Sequence, residues 1–311
     1  MSGARPDRGR PFARPTERGR PNVREPGQRT TATPTSDRLA DATWPEVEAT
    51  TSCPETTPRT PLGTTGPATT LLVPLGATEQ HGPHLPLGTD ATIAAALAEG
   101  AAARTPGTLV APVLPYGSSG EHQDFPGTLS IGAEATELVL VELGRSATET
   151  FDRVVFVNAH GGNAAPLAAA VARLRDEGRD VRAWSPRFGG DAHAGRTETS
   201  LMLALAEPPE RGRPDQPPSA RGRPNPPIGP LRTTAVRGEL AEAGNAAPLG
   251  GLIDRLRAEG VRAVAPNGVL GDPAGASAAE GRALLDAAVE DLIAALATWP
   301  AASAPALGAR S

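Results

Sequence analysis

The sequence predicts a three-layer αβα domain with a mostly parallel sheet over about residues 69–300, and two patterns predict it. Short apolar runs at residues 71–75, 109–114 and 154–157 have the length and density of strands covered on both faces, and 181–184 reads as another short strand. Stretches with helical spacing lie between them, and strand–helix alternation of this kind builds parallel sheets.

The first run contains Leu71, Leu72, Val73 and Leu75, and Pro74 and Gly76 are expected to mark where its pairing ends. Ile93, Leu97 and the alanines up to Ala102 fit a helix that Pro106 and Gly107 have ended. The second run opens into a Gly-rich loop at 116–128, of the kind that lines sites rather than cores. An amphipathic helix is expected at 134–150, with Leu138, Val141 and Leu143 among its apolar positions. The strand at 154–157 ends at Asn158, and a helix over about 164–177 follows. The strand at 181–184 leads through residues 191–200 into a helix at 201–206. The last organised part comprises 261–264, 267–273 and a helix from about Ser277 to Thr298, where Ser277 is a natural N-cap and Glu280 completes a capping box.

Residues 1–68 are rich in Pro, Arg, Thr and Gly, with almost no periodic apolar pattern, and read as a disordered tail. The positive charge over 5–24 fits a solvated tail, and Trp44 and Pro45 are where ordered contacts are expected to begin. Residues 208–230 read as a flexible surface insertion and 301–311 as a C-terminal tail. The net charge of −5 and the 3% aromatic content argue against a nucleic-acid surface. No apolar stretch approaches a membrane span and no signal-peptide core is visible, so a soluble, cytoplasmic protein is expected. Cys53 is the single cysteine, which excludes thiolate zinc ligation within one chain. Any metal must be held by His, Asp and Glu.

Such residues follow the first strand directly. Glu79, His81, His84 and Asp90 stand in a turn stiffened by Pro83, Pro86 and Gly88, and side chains of these types converge on hard or borderline divalent cations. A polar surface loop is the alternative for this stretch alone. All five histidines, however, fall in Gly-rich segments, which scattered structural histidines do not. His122 reads either as a substrate contact or as a brace for its loop. His160 follows the strongest strand and should face the same crevice as Glu79 and His81, because ligands sit beyond the carboxyl ends of strands in open α/β sheets. His193 and Glu198 stand at a helix entrance, where Glu198 is either a ligand or a favourable partner of the helix dipole.

Residues 79–90 (EQHGPHLPLGTD), 158–163 (NAHGGN), 193–200 (HAGRTETS) and 268–273 (GVLGDP) together resemble the creatininase (creatinine amidohydrolase) family. Within it the likeness is greatest to the mycofactocin-system peptidase subgroup, because 120–132 (GEHQDFPGTLSIG) and 141–147 (VELGRSA) look like that subgroup's versions of these segments. The resemblance implies a creatininase-like domain at 69–300. It also implies a metal-dependent peptidase that releases the C-terminal Val-Tyr dipeptide from a modified precursor peptide.

Carried over position by position, it makes Glu79, Asp90 and His160 ligands of one divalent ion, with Asp90 bridging to a second held by His81 and a further glutamate. The ions are zinc, iron or manganese. Creatininase proper has that glutamate where this chain has Gly162, and Glu198 is the candidate replacement. Ala159 also stands where the common motif has glycine. Cations held this way activate water for attack on an amide carbonyl, and His193 is positioned to protonate the leaving nitrogen. His122 and Asn163 are the substrate-binding candidates. The family likeness further implies a homo-oligomer, with no nucleic-acid or membrane partner. A creatininase-type hydrolase of a small cyclic amide shares the metal site but needs a compact, closed pocket. A non-catalytic metal-binding protein is the remaining class, and a lost ligand would be its mark.

Overall fold

A computed structural model describes residues 36–51, 68–207 and 236–299. The expected insertion at 208–230, the C-terminal tail and most of the N-terminal tail lie outside the described residues. Four parallel strands form one sheet in the order β2-β1-β3-β4: β1 (Thr70–Leu75), β2 (Thr108–Val110), β3 (Arg153–Asn158) and β4 (Val181–Trp184). Every residue of β1 is buried, as its continuous apolar run requires. Pairing does not stop at Pro74, contrary to the sequence expectation. Proline lacks only a donor, and the Pro74 carbonyl accepts from the Leu114 amide at 2.9 Å while β1 stays paired with β3 through Leu75. The second strand is correspondingly shorter than expected, with Leu114 joined to Leu75 by an isolated bridge.

Alternation along the strands divides the core in two. Leu72, Val110, Val155 and Val157 face α2 (Thr89–Ala102), α5 (Arg196–Ala206) and α8 (Ala278–Ala297). Leu71, Val73, Leu75, Val154 and Phe156 face α3 (Gly132–Ala147) and α4 (Ala164–Asp176). Three layers result from this period of two. A separate apolar cluster joins α6 (Leu249–Glu259), which the sequence reading did not foresee, to α7 (Val261–Val264) and Leu270.

Residues 36–51 depart from the expected unstructured tail. They contain α1 (Trp44–Thr51), and Leu39 and Val47 pack against the α3/α4 side of the core. Arg38 bridges Val110 at the sheet edge and pairs with Glu99 at 2.8 Å. The missed signal is Thr43-x-x-Glu46, where the Glu46 carboxylate accepts from the Thr43 amide at 2.8 Å. At α8 the capping box is only half formed. Ser277 accepts from the Glu280 amide, but the Ser277 amide goes to Ser200 Oγ, leaving Glu280 to hold Arg196 and Ser200. No helix among the described residues is long and apolar enough to cross a membrane.

The amphipathic reading of α3 is rotated from what the sequence suggested: Leu140 and Val141 are buried, whereas Leu138 is 57% exposed. Leu140→Ala is therefore expected to destabilise the chain by about 2–5 kcal/mol. Leu138→Ala should cost no more than about 0.5 kcal/mol. Denaturant melts of the two variants check the assignment, and equal losses would contradict it.

Candidate metal centre

The candidate side chains all come from the carboxyl ends of the strands, where open α/β sheets hold ligands. Glu79 and His81 follow β1, and Asp90 lies in the first turn of α2, whose N-terminal dipole favours a carboxylate. His122 ends a short 3-10 turn (Gly120–His122) after β2, and His160 follows β3. His193 follows β4, and Glu198 lies in the first turn of α5.

Asp90 is the centre of the array. Its Oδ1 is 3.0 Å from His81 Nε2 and its Oδ2 is 3.3 Å from His160 Nδ1. Glu79 Oε2 lies 3.2 Å from His160 Nε2, and Glu79 Oε1 is 3.4 Å from His122 Nε2 and 3.8 Å from His193 Nδ1. Glu198 Oε2 is 3.8 Å from His81 Nε2. Glu79, His81, Asp90 and His160 are all buried.

Backbone carbonyls decide which ring nitrogen faces this array. A carbonyl only accepts, so His81 Nδ1 donates to Glu79 O at 3.1 Å, His160 Nε2 to Ser118 O at 2.9 Å and His193 Nε2 to Gln80 O at 2.8 Å. The other nitrogen of His81 and of His160 then turns to Asp90, and that of His193 turns to Glu79. Gln80, which the sequence reading missed, sorts His122. Its Nε2 donates to Gly268 O at 3.1 Å and to His122 Nδ1 at 2.8 Å, leaving His122 Nε2 to carry hydrogen towards Glu79. A Cβ at Gly268, where φ is +79°, would lie 1.8 Å from Gln80 Oε1, so the glycine admits this side chain.

The donor set fits divalent cations. Both oxygens of Glu79 and Oδ2 of Asp90 are buried without a hydrogen-bond partner, a costly arrangement that bound cations would relieve. Among the described residues, three groups bring one ligand atom each within 4.8 Å of one another: Glu79/Asp90/His160, His81/Asp90/Glu198 and Glu79/His81/His193. Protons do part of this work in the metal-free chain. Burial pulls His81 down, but Asp90, Glu198 and Glu79 outweigh it and hold the imidazole at about 10. Burial likewise opposes the charge on His160, and Glu79 and Asp90 raise it well above its ordinary value. Burial pushes both carboxylates up, yet His160 holds Glu79 at about 2, and His81 with His160 holds Asp90 well below the usual range. Burial, reinforced by the neighbouring histidines, lowers His122 to about 3 against the pull of Glu79, and burial with His81 lowers His193.

Two sequence expectations change. Asn163 is fully buried and not available to substrate: its amide donates to Gly76 O and Asn158 Oδ1, and its oxygen accepts from the Ser118 amide. His84 is also buried but hydrogen-bonds Thr199 Oγ1 at 2.9 Å, outside the three groups. The glycine at 162 has a steric cause. A Cβ there would lie 2.2 Å from Ser118 O, 2.4 Å from His160 Nε2 and 2.6 Å from Glu121 Oε1. No glutamate fits at that position, and Glu198 reaches His81 from the opposite side. The oxygen of Glu198 that faces His81 also accepts from the amide of Ala194 at 2.6 Å and so steadies that residue at φ 53°.

A cavity of about 700 Å³ opens onto the array, with Glu79, His160 and His193 at its floor. The loop after β3, with Gly161 and Gly162, and the start of α4 line it, as does α6 together with the 120–122 turn on which it packs, and Arg257 and Glu259 are exposed.

The profile of the creatininase family, described as creatinine amidohydrolase, matches residues 40–296. The mycofactocin precursor peptide peptidase of Mycobacterium ulcerans (strain Agy99) is 47% identical over 233 residues, which span 72% of this chain and 82% of that protein. A crystal structure of creatinine amidohydrolase superposes with a TM-score of 0.60 at 25% identity, covering 84% of this chain and 96% of the other. A mutant creatininase of Zn-Zn type superposes with a TM-score of 0.57 at 25% identity over 84% and 97%.

Asp90→Ala is expected to remove bound metal as a whole, since two of the three groups share this carboxylate; full metal content by elemental analysis would overturn the shared role. Metal uptake should also release protons. The raised values of His81 and His160 make protonation a stabilising feature of the metal-free chain that is fully present below about pH 6.5 and lost as pH rises through about 10 for His81. Zinc binding at pH 7 is accordingly expected to displace about two protons, and its affinity to climb with pH. Calorimetry in buffers of different ionisation enthalpy measures the number. Zero released protons would contradict the charged state of both rings.

Proposed function

The chain belongs to the creatininase family, and from that premise we propose that it is a metal-dependent peptidase of mycofactocin biosynthesis, hydrolysing the amide bond that releases the C-terminal Val-Tyr dipeptide of a modified precursor peptide. The observation that carries the reading is the buried Glu79, His81, Asp90 and His160 array at the floor of an open cavity of about 700 Å³. That volume lies well up the range of roughly 300–1,000 Å³ found for organic ligands. A peptide end can enter such a cavity among the described residues, which supports the peptide reading over the compact, closed pocket expected for a small cyclic amide. The 47% identity to a named peptidase points the same way.

Two divalent ions complete the proposal, one held by Glu79, Asp90 and His160 and the other by His81, Asp90 and Glu198, with zinc, iron and manganese all compatible with the imidazole and carboxylate donors. Bound there, the ions lower the pKa of water and polarise the amide carbonyl. The residues of the chain do the rest. His193 is neutral at rest, because burial lowers it, and its Nε2 hydrogen is committed to the Gln80 carbonyl. Its Nδ1 faces the floor of the cavity beside Glu79 Oε1. That nitrogen takes the proton given up by the attacking water and passes it to the leaving amide nitrogen as the C–N bond breaks. The product is a carboxylate on the precursor and a free amine on the dipeptide. His122, with Nε2–H towards Glu79 and a ring that stays neutral, steadies that carboxylate at the edge of the cavity.

His193→Gln separates proton transfer from mere bracing. As the proton carrier, its loss is expected to lower kcat by about 10²-fold or more with metal content and KM retained. Turnover of a peptide ending in Val-Tyr, followed across a metal titration, reads the outcome. Recovery to near the wild-type rate with added metal would show instead that His193 only supports a ligand.

A further inference from the structure

We infer that the wall formed by α6, α7 and Leu270 is the subsite for the side chains of the leaving dipeptide, and that Leu249 and Ile253 set its preference for a large apolar or aromatic residue. The occupant rests on the peptidase reading above; the side of the cavity it takes follows from geometry. Leu249, Ile253 and Leu256 recur at i, i+4 and i+7, so they share one face of α6, and all three line the cavity with Val261 and Leu270. Leu249 remains 45% exposed, and Ile253 is half-buried, so this face has apolar surface still to cover. The same wall carries the proton donor. Leu270 N donates to His193 O at 2.8 Å, His193 N returns to Leu270 O at 3.3 Å, and Leu270 packs in one cluster with Leu252, Leu256 and Val261. His193 and Leu270 line the cavity together, so a leaving nitrogen that receives its proton from His193 has the α6 face within the same cavity, and we place the side chains that depart with it along α6. The loop after β3 and the start of α4 give the lining Gly161, Gly162, Ala164 and Ala165, which leave room for extended backbone but little apolar surface for a ring.

The test compares two peptides that differ only in the last residue, ending Val-Tyr or Val-Ala, with the full-length, zinc-loaded chain. The ratio of their kcat/KM values is expected to favour tyrosine and to fall by about 10-fold or more in the Leu249→Ser/Ile253→Ser variant, the usual scale for apolar pocket contacts. Leu249→Met should keep the ratio. Melting temperature and zinc content report whether the double variant is folded; should it not be, Leu249→Ser alone is used, since that side chain is largely outside the core. An unchanged ratio in a folded variant overturns the inference. Calorimetric titration with free Val-Tyr and Val-Ala dipeptides reads the subsite without turnover. If wild type cleaves neither peptide, the peptidase reading fails and the titration decides alone: a preference for Val-Tyr that the variant loses supports the subsite, and no preference in wild type sinks it.

Discussion

A buried carboxylate placed between two imidazoles governs this molecule. Asp90 is 2% exposed, and its two oxygens face His81 and His160 from the first turn of α2. An unpaired charge at that depth would cost several kcal/mol. Everything around it compensates: the α2 dipole, the two rings, and the equally buried Glu79 that shares His160. In the metal-free chain, protons on the two imidazoles balance the two carboxylates. Divalent ions and protons would thus compensate the same carboxylates, which is why the groups able to hold a metal and the perturbed titrations fall on the same residues.

Backbone direction, more than side-chain identity, gives these groups their chemistry. Carbonyls of Glu79, Gln80 and Ser118 each take one imidazole N–H, and the remaining nitrogens are left to the site. Such outer partners set tautomer and ring orientation wherever histidine binds metal. They exist here because β1 and β3 end side by side in parallel register, which brings the loops carrying Glu79 and His160 together. Gly268 and Gly162 belong to the same construction, since a Cβ at either would strike Gln80 or Ser118 and His160.

The cover of the site is built differently from its floor. The floor hangs from the sheet, whose two faces are buried in the main apolar clusters. The α6/α7 wall has its own small cluster and packs chiefly on itself and on the 120–122 turn. It is tied to the site through the Leu270 backbone pair with His193 and through the turn that carries His122.

Much of this was legible in the residues. Continuous apolar runs announced β1 and β3, because a strand covered on both faces must be apolar at every position, whereas β4 is an edge strand that carries Arg182 and is only partly buried. The clustering of His, Glu and Asp at strand ends announced the site, because polar groups of that density have no other use beside a buried strand. Ser277 announced the start of α8. Tertiary structure alone decided the rest. The helix α1 depends on surfaces supplied by distant segments, which its own weak periodicity does not reveal, whereas α6 carried a helical apolar spacing at Leu249, Leu252, Ile253 and Leu256 that the sequence reading passed over. Leu138 and Leu140 stand two residues, about 200°, apart around α3, and only packing settles which of them faces the core. Asn163 looked like a substrate contact and proved to be a brace, and Gln80 looked inert and proved to orient two histidines, because hydrogen-bond partners 42 to 188 residues away in the chain are chosen by the fold. Composition and spacing carry ligand types and buried strands, which are local properties; which nitrogen faces the site, and which apolar face stays open, are decided by contacts that exist only once the chain has closed on itself.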